Sequence, residues 1–236
     1  MDIAINSLVD GARTATGAVG IIDVFRAFTT AAVAFANGAS RIVMVGSVEE
    51  AVALRASGDV QVCMGEVHGR RPEVFDFGNS PFEVSSVDFH GQSIAQRTSA
   101  GTQGIVSASQ ASRLYATSLV IASATARALG GGGAAGRPDR ITLVAMGNAG
   151  VDRTDEDELC AIHIRNILQG RPGDAHAVRQ LILAGGEAAG FHDPTNPNRH
   201  PGDLEIALDI DRYDFAIRVT MEDGRPVARM ERHPAA

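Results

Sequence analysis

"GAVGIIDVFRAFTTAAVAFANGAS", residues 17–40, decides the fold. "AVGIIDVF" (18–25) is a continuous apolar run broken near its end by Asp23. Such a run suits a strand buried on both faces, as in a parallel sheet. "RAFTTAAVAFA" (26–36) is built of small, helix-compatible residues, and Asn37-Gly38 offers a left-handed stop. Strand followed by helix is the unit of an α/β fold, and the chain repeats it on both sides of this stretch.

"RIVMVGS" (41–47) reads as the next strand, and Ser47 with Glu50 reads as a capping box opening the helix "VEEAVALRAS" (48–57). "VQVCM" (60–64), "SIAQRT" (93–98) and "RITLVAMG" (140–147) are further strands, and "RLYATSLV" then "IASATARAL" (113–129) reads as a short strand and a helix. The loop "SAGTQG" (99–104) leads from a strand into the helical start "IVSAS" (105–109). "TDEDELCAIHIRNILQG" (154–170) is a helix with Thr154 as N-cap and Asp157 three residues on, stopped by Gly170 and Pro172. After the helix "AHAVRQLILAG" (175–185) comes a loop crowded with proline and asparagine, "FHDPTNPNRHPGD" (191–203). "FAIRVTMEDGRPVARMER" (215–232) closes the chain as a hairpin about Asp223-Gly224. This order predicts an α/β class with a mixed, mainly parallel sheet flanked by helices.

Of the 236 residues 44% are hydrophobic, enough for one large domain or two small lobes. A formal charge of -7 without a long basic stripe argues against nucleic acid as a partner. Two cysteines make no disulfide framework, and both read as buried, inert thiols. "MDIAINSLVDGAR" (1–13) has no basic n-region or long apolar h-region, and no apolar run is long enough to span a bilayer. A cytoplasmic protein without membrane contact is expected. The small-residue stretch "TTAAVAFANGA" can pack inside one subunit or between two, so a homo-oligomer stays open.

Asp23 lies where the first strand ends, the edge at which open α/β sheets bind ligands. Its carboxylate can serve a metal or act as base or nucleophile; it can equally cap the following helix. Arg26, one turn on at a helix N-terminus, favours an anion there. The loop "CMGEVHGRRPEVFDFGNSPFEV" (63–84) carries Glu66 and Asp76, oxygen donors that suit a hard cation such as Mg2+. Its Arg70 and Arg71 match phosphate, carboxylate or sulfonate oxygens. The competing reading is a solvated surface loop. "RTSAGTQG" (97–104) places hydroxyls and glycines between strand and helix, where amides can cradle an oxyanion, although the lysine of a P-loop is missing. Asp155, Glu156 and Asp157 crowd one helical turn, so at most one or two can face a cleft. The histidines show no ligand-pair spacing, and no zinc site is expected.

"IIDVFRAFTTAAVAFANGA", "GEVHGRRPEVFDFGNSPFEV", "RTSAGTQG", "TDEDELCA" and "YDFAIRVTMEDGRPVAR" occur in the order of the 2-phosphosulfolactate phosphatases, the ComB-like proteins. The chain resembles that family from about Ile21 to Arg229, most specifically in D-V-x-R-A-x-T-T and F-D-x-G-N-S-P. The resemblance implies two unequal α/β lobes. The glycine-rich linker 130–137 places them at 1–132, with the main site loops, and 138–236, ending in the hairpin. It also implies an enzyme, a phosphoric monoester hydrolase that uses Mg2+ to convert 2-phosphosulfolactate to sulfolactate and phosphate. The matching positions are Asp23, Arg26, Thr29 and Thr30; Glu66, Asp76, Asn79 and Ser80; Gly101 and Thr102; Glu156 and Asp157. The expected roles are catalysis by Asp23, Arg26 and Asp157, and metal binding by Asp23, Glu66 and Asp76. Substrate binding falls to Arg70, Arg71, Asn79, Ser80, Gly101 and Thr102. The family's third motif usually reads T-T-N-G-T, whereas here Ala100 stands in place of the asparagine. The loss of that amide leaves another small anionic phosphate ester as an alternative substrate, and a non-catalytic anion-binding module as a third reading.

Overall fold

In the computed structural model, which describes residues 1–131, 136–171 and 173–232, the expected alternation closes into one sheet. Its strands are β1 (Asp2–Ser7), β2 (Gly17–Ile22), β3 (Arg41–Met44), β4 (Val62–Gly65), β5 (Ser93–Arg97), β6 (Ala111–Thr117), β7 (Arg140–Ala145), β8 (Ala216–Glu222) and β9 (Arg225–Glu231). Their order is β1-β7-β2-β6-β8-β9-β3-β5-β4. β2 lies between β7 and β6 and is parallel to both, and every residue after Gly17 is buried, as its unbroken apolar run requires.

Two parallel blocks, β1-β7-β2-β6 and β3-β5-β4, are joined by the β8–β9 hairpin, which is antiparallel to β6 on one side and to β3 on the other. The strand direction therefore reverses between the blocks. Their C-terminal edges can still meet, because the sheet curls around helix Ala27–Ala36. That helix is buried at every residue but Ala36. Its core takes Val19, Ile21 and Val144 from one block, Ile42, Met64 and Ile94 from the other, and Ile217 and Ala228 from the hairpin. A helix apolar on all sides needs walls on all sides, and the right-handed sheet twist supplies them. The small residues of "TTAAVAFANGA" thus pack inside the subunit.

Helices Ala122–Leu129 and Asp155–Leu168 cover the outer face of the first block, over Ile22, Ile141 and Leu143. Helix Val48–Ala56 covers the second with Ala51 and Leu54 against Val43, Cys63 and Ala95. Ser47 Oγ accepts from the Glu50 amide at 3.1 Å, but the Glu50 carboxylate turns to Gly46 rather than closing a box. Thr154 occupies its N-cap position without a side-chain cap. Both cysteines are buried and free. No helix among the described residues is long and apolar enough to cross a membrane.

Part of the expected linker, residues 132–135, lies outside the described residues. β1, β2 and β6 before it and β7 after it belong to the same block, so the sheet is not divided there. The block set apart is β3-β5-β4, which lies between β2 and β6 in sequence. β1 and the helix Leu8–Arg13 were not foreseen: β1 is an edge strand, half-exposed along its length, and carries no clear periodicity.

Candidate active site

The loop leaving β2 is held at almost every polar group. Asp23 N donates to Thr117 O, and Val24 N to Asp157 Oδ1 at 2.8 Å. Thr29 Oγ1 donates to Val24 O at 2.8 Å and Thr30 Oγ1 to Arg26 O at 2.9 Å, which gives the paired threonines of the motif a physical task. Asp23 accepts from Ala27 N at 3.0 Å with Oδ1 and from Gly101 N at 2.8 Å with Oδ2. Capping and site-building are therefore both true of Asp23. Gly101 is required: a Cβ there would stand 2.8 Å from Asp23 Oδ2 and 2.9 Å from Ala27 Cβ. Arg26 is buried and ion-paired through Nη1 with Asp203 Oδ2 at 2.6 Å.

Asp23 and Arg26 face a cavity of 330 Å³ whose other walls include Glu66, Asn79, Ser99, Asn148, Phe191 and Arg199. All but Phe191 and Arg199 follow the C-terminal ends of β2, β4, β5 and β7, so both blocks contribute; those two lie between the helices Gly186–Ala189 and Pro201–Ala207. Two further cavities, of 480 and 530 Å³, adjoin it through Arg26 and Gly69. Asn79 Oδ1 is buried without a hydrogen-bond partner among the described residues, an acceptor left open beside the cavity.

The charged loop after β4 divides. Glu66 stays at the cavity, where it accepts from Ser99 N, from Ser99 Oγ at 3.1 Å and from Gly69 N at 2.6 Å, clamping two loops together. Asp76 does not join it. Residues 76–77 double back along β4, so the Asp76 carboxylate meets Cys63 N and Arg55, each at 2.8 Å, outside the cavity. Arg71 pairs with Glu83 at 3.2 Å and lines the neighbouring 480 Å³ cavity with Ser80, which donates to Asp203 at 2.5 Å. Arg70 is exposed on the 530 Å³ cavity, beside Arg26, His68 and Arg199.

Three expectations need revision. The amides of Gly101 and Thr102 are not open to a ligand: Gly101 N goes to Asp23, and Thr102 N to Thr98 Oγ1 at 3.1 Å. Neither residue lines the cavity; Ser99 and Ala100 do. Asp157 is buried behind the cavity, with Oδ2 taken by Gly147 N at 2.8 Å and Oδ1 by Val24 N. It fixes the two strand exits on which the site is built. Finally, Asp23, Glu66 and Asp76 do not converge, and among the described residues no group of three His, Cys, Asp or Glu is placed to hold one metal ion.

Electrostatics set this region apart. Burial, helped by Glu66, pushes the Asp23 carboxyl up to about 6. Burial, with Glu187 and Asp23 nearby, pushes Glu156 up to about 7. Asp157 is raised well above the carboxylate range by burial and by Glu156 and Asp23. Glu156 Oε2 is buried with no hydrogen-bond partner among the described residues. The acids hold more negative charge than the surrounding protein compensates, a pattern typical of functional sites.

Sequence reasoning missed Arg199, Phe191 and Asn148. The Arg26 and Arg199 guanidiniums stand 5.8 and 5.2 Å from the Phe191 ring centre, and Arg199 is held by Glu187 at 2.8 Å. The stretch "FHDPTNPNRHPGD" gave no periodicity; its lone arginine among turn residues was the available signal. Asn148 could have been found from its place just beyond a strand's carboxyl end.

Fold and site together define an α/β protein with a cavity lined by Arg26 and Arg199 and backed by carboxylates. Comparison with known proteins narrows the class. A family profile described as 2-phosphosulpholactate phosphatase matches residues 4–188. A protein of Thermoplasma volcanium named "Probable 2-phosphosulfolactate phosphatase" is 31% identical over 194 residues, 82% of this chain and 85% of its own. A Bacillus subtilis protein of the same name is 33% identical over 207 residues, 87% of this chain and 88% of its own. The chain belongs to the 2-phosphosulfolactate phosphatase family. It is thus a phosphoric monoester hydrolase, with a small phosphate ester as substrate.

Proposed function

We propose that the protein hydrolyses 2-phosphosulfolactate to sulfolactate and phosphate with the help of Mg2+. The observation that carries this reading is the pairing, in one hydrogen-bonded loop, of a buried carboxylate with a buried guanidinium, both facing the same cavity.

Arg26 takes the phosphoryl oxygens. Its Nη1 is held by Asp203, and its remaining donors have no partner among the described residues. Arg199, across Phe191, takes the carboxylate or sulfonate of the same molecule, with Arg70 at the outer rim. Asn79 Oδ1 accepts from a substrate or water donor. Asp23 accepts the proton of the attacking water. These groups are fixed before the ester arrives, so charge stabilisation costs little reorganisation.

The donor chemistry fits magnesium. Asp23 and Glu66 are the carboxylates on the cavity wall, and Mg2+ ordinarily takes one or two carboxylates with waters and phosphate oxygens. These two residues would hold it. Bound there, it would neutralise charge on the phosphoryl group and relieve the mutual repulsion of the acids.

The test is phosphate release from 2-phosphosulfolactate and from a panel of phosphorylated hydroxy acids, with magnesium and with chelator. Magnesium-dependent release with a clear preference for phosphosulfolactate is expected. Equal rates on other esters would move the substrate, as Ala100 in the cavity wall allows. No release from any ester would leave an anion-binding module.

A further inference from the structure

Asp203 lies beyond residue 188, where the family profile ends, at the start of helix Pro201–Ala207. It is fully buried and accepts four hydrogen bonds. Oδ2 takes Arg26 Nη1 at 2.6 Å and His200 N at 3.2 Å; Oδ1 takes Ser80 Oγ at 2.5 Å and Phe82 N at 3.0 Å. Helix capping accounts for the bond from His200 alone. The other three reach the loop after β2 and the Asn79–Ser80 turn, two separate walls of the cavity.

We propose that Asp203 is the positioning residue of the reaction: it sets the Arg26 guanidinium and ties it to the Asn79–Ser80 turn, so that the two walls hold one spacing. The assignment rests on reading Arg26 as the phosphoryl-binding group. Asp203 is the ion-pair partner of Arg26, and both side chains are at least nine-tenths buried. Without it, Arg26 keeps a buried charge and turns toward the remaining acids, Asp23 and Glu66. The profile ends before this residue, and the segment after 188 supplies part of the site.

The test is Asp203→Asn. Each carboxylate oxygen meets two donors, so the amide must point its NH2 at one donor pair. A fall in kcat/KM of about 30- to 1000-fold, mostly in kcat, is expected, as for other broken buried charge pairs. A crystal structure should show Arg26 displaced. Asp211→Asn is the control: it disturbs an exposed anchor at the start of helix Ala122–Leu129, the bonds from Ser123 N and Oγ at 2.6 Å, away from the cavity. It should lower the melting temperature and leave kcat alone. If Asp203→Asn does not fold, Ser80→Ala removes the turn's tie to Asp203, together with the cap bond from Glu83 N at 3.0 Å, and should raise KM several-fold. Arg26 unmoved in Asp203→Asn, activity within about threefold of the Asp211 control, or an unchanged KM in Ser80→Ala would each overturn the proposal. If the wild type hydrolysed no ester while Arg26 still moved in Asp203→Asn, the functional reading would fall and the positioning assignment would stand.

Discussion

The loop leaving β2 and the loop leaving β4 both carry carboxylates and arginines, yet they are built to opposite plans. In the first, Asp23 and Arg26 are buried, each side chain is fixed by a named partner, and two threonines and Asp157 hold the backbone. In the second, Asp76 and Arg71 stand about half-exposed in surface ion pairs, and the loop reaches the cavity through Glu66, His68, Gly69 and Asn79. Charge in a sequence is cheap where water screens it and costly where it does not. The first loop spends stability on buried ions, so its residues should dominate both activity and pH behaviour; the second should tolerate change.

Asp23→Asn should have the largest effect, lowering kcat by about 10²- to 10⁴-fold, the usual span for a lost general base. The same residue shapes stability. Its folded pKa of about 6 lies above the ordinary 3.8, so the folded state binds the proton more tightly than the unfolded chain does. Its contribution is complete below pH 4 and is lost as pH rises through about 6, which amounts to ~3 kcal/mol for a shift of this size. Glu156 and Asp157 act in the same direction. Chelated wild type should therefore be more stable near pH 5 than at pH 7.5 in urea unfolding, with a shallower dependence in Asp23→Asn. Magnesium should stabilise at pH 7.5 far more than at pH 5. A cation-free protein most stable at pH 8 would remove the distinction between the two loops.

Gly101→Ala comes next. The new Cβ would press on Asp23 Oδ2, Ala27 Cβ and Phe28 Cζ within 3.0 Å. Overpacking of this kind costs about 1–3 kcal/mol, and a shifted Asp23 should lose about 10²-fold in kcat. Melting curves and phosphate-release rates measured on the same preparation check both. A fully active, fully stable variant would show that Asp23 tolerates movement.

The first loop was legible for a physical reason. A continuous apolar run of this length next to a helix-forming stretch suits a doubly buried strand, and residues at its carboxyl end then face the ligand edge. Glu66 followed by the same rule, whereas Asn79 came only from the family resemblance. Asp76 failed because composition shows a carboxylate but not the direction of the chain. Nothing in "FDFGNSP" announces that Phe77 pairs back onto Met64. The amides of Gly101 and Thr102 were rightly placed at a strand exit, but their partners, Asp23 and Thr98, were already waiting inside the protein. The joining of two parallel blocks by the last hairpin was out of reach, because the pairing of Val219 with Leu114 and of Ala228 with Ile42 is wholly long-range. Arg199 and Asp203 sit in an aperiodic loop whose value lies entirely in what it touches.

Arg71→Ala should have the smallest effect and tests the comparison from its weak side. The Arg71 and Glu83 side chains are 51% and 36% exposed, and exposed pairs of this kind contribute ~0–1 kcal/mol. Arg71 also donates to Asp76 O at 3.3 Å, a long bond in a loop that Arg55 and Gly65 N already hold. The substitution should shift the urea midpoint only slightly and leave kcat/KM within about threefold. Arg71 does line the cavity beside Ser80 and Asp203, so one result would be informative out of proportion to its size. A tenfold rise in KM with unchanged kcat would mean that the substrate's second anionic group rests on the exposed loop rather than on Arg199. The two loops would then divide the substrate between them, the buried one holding the reacting phosphoryl group and the solvated one the group that is merely recognised.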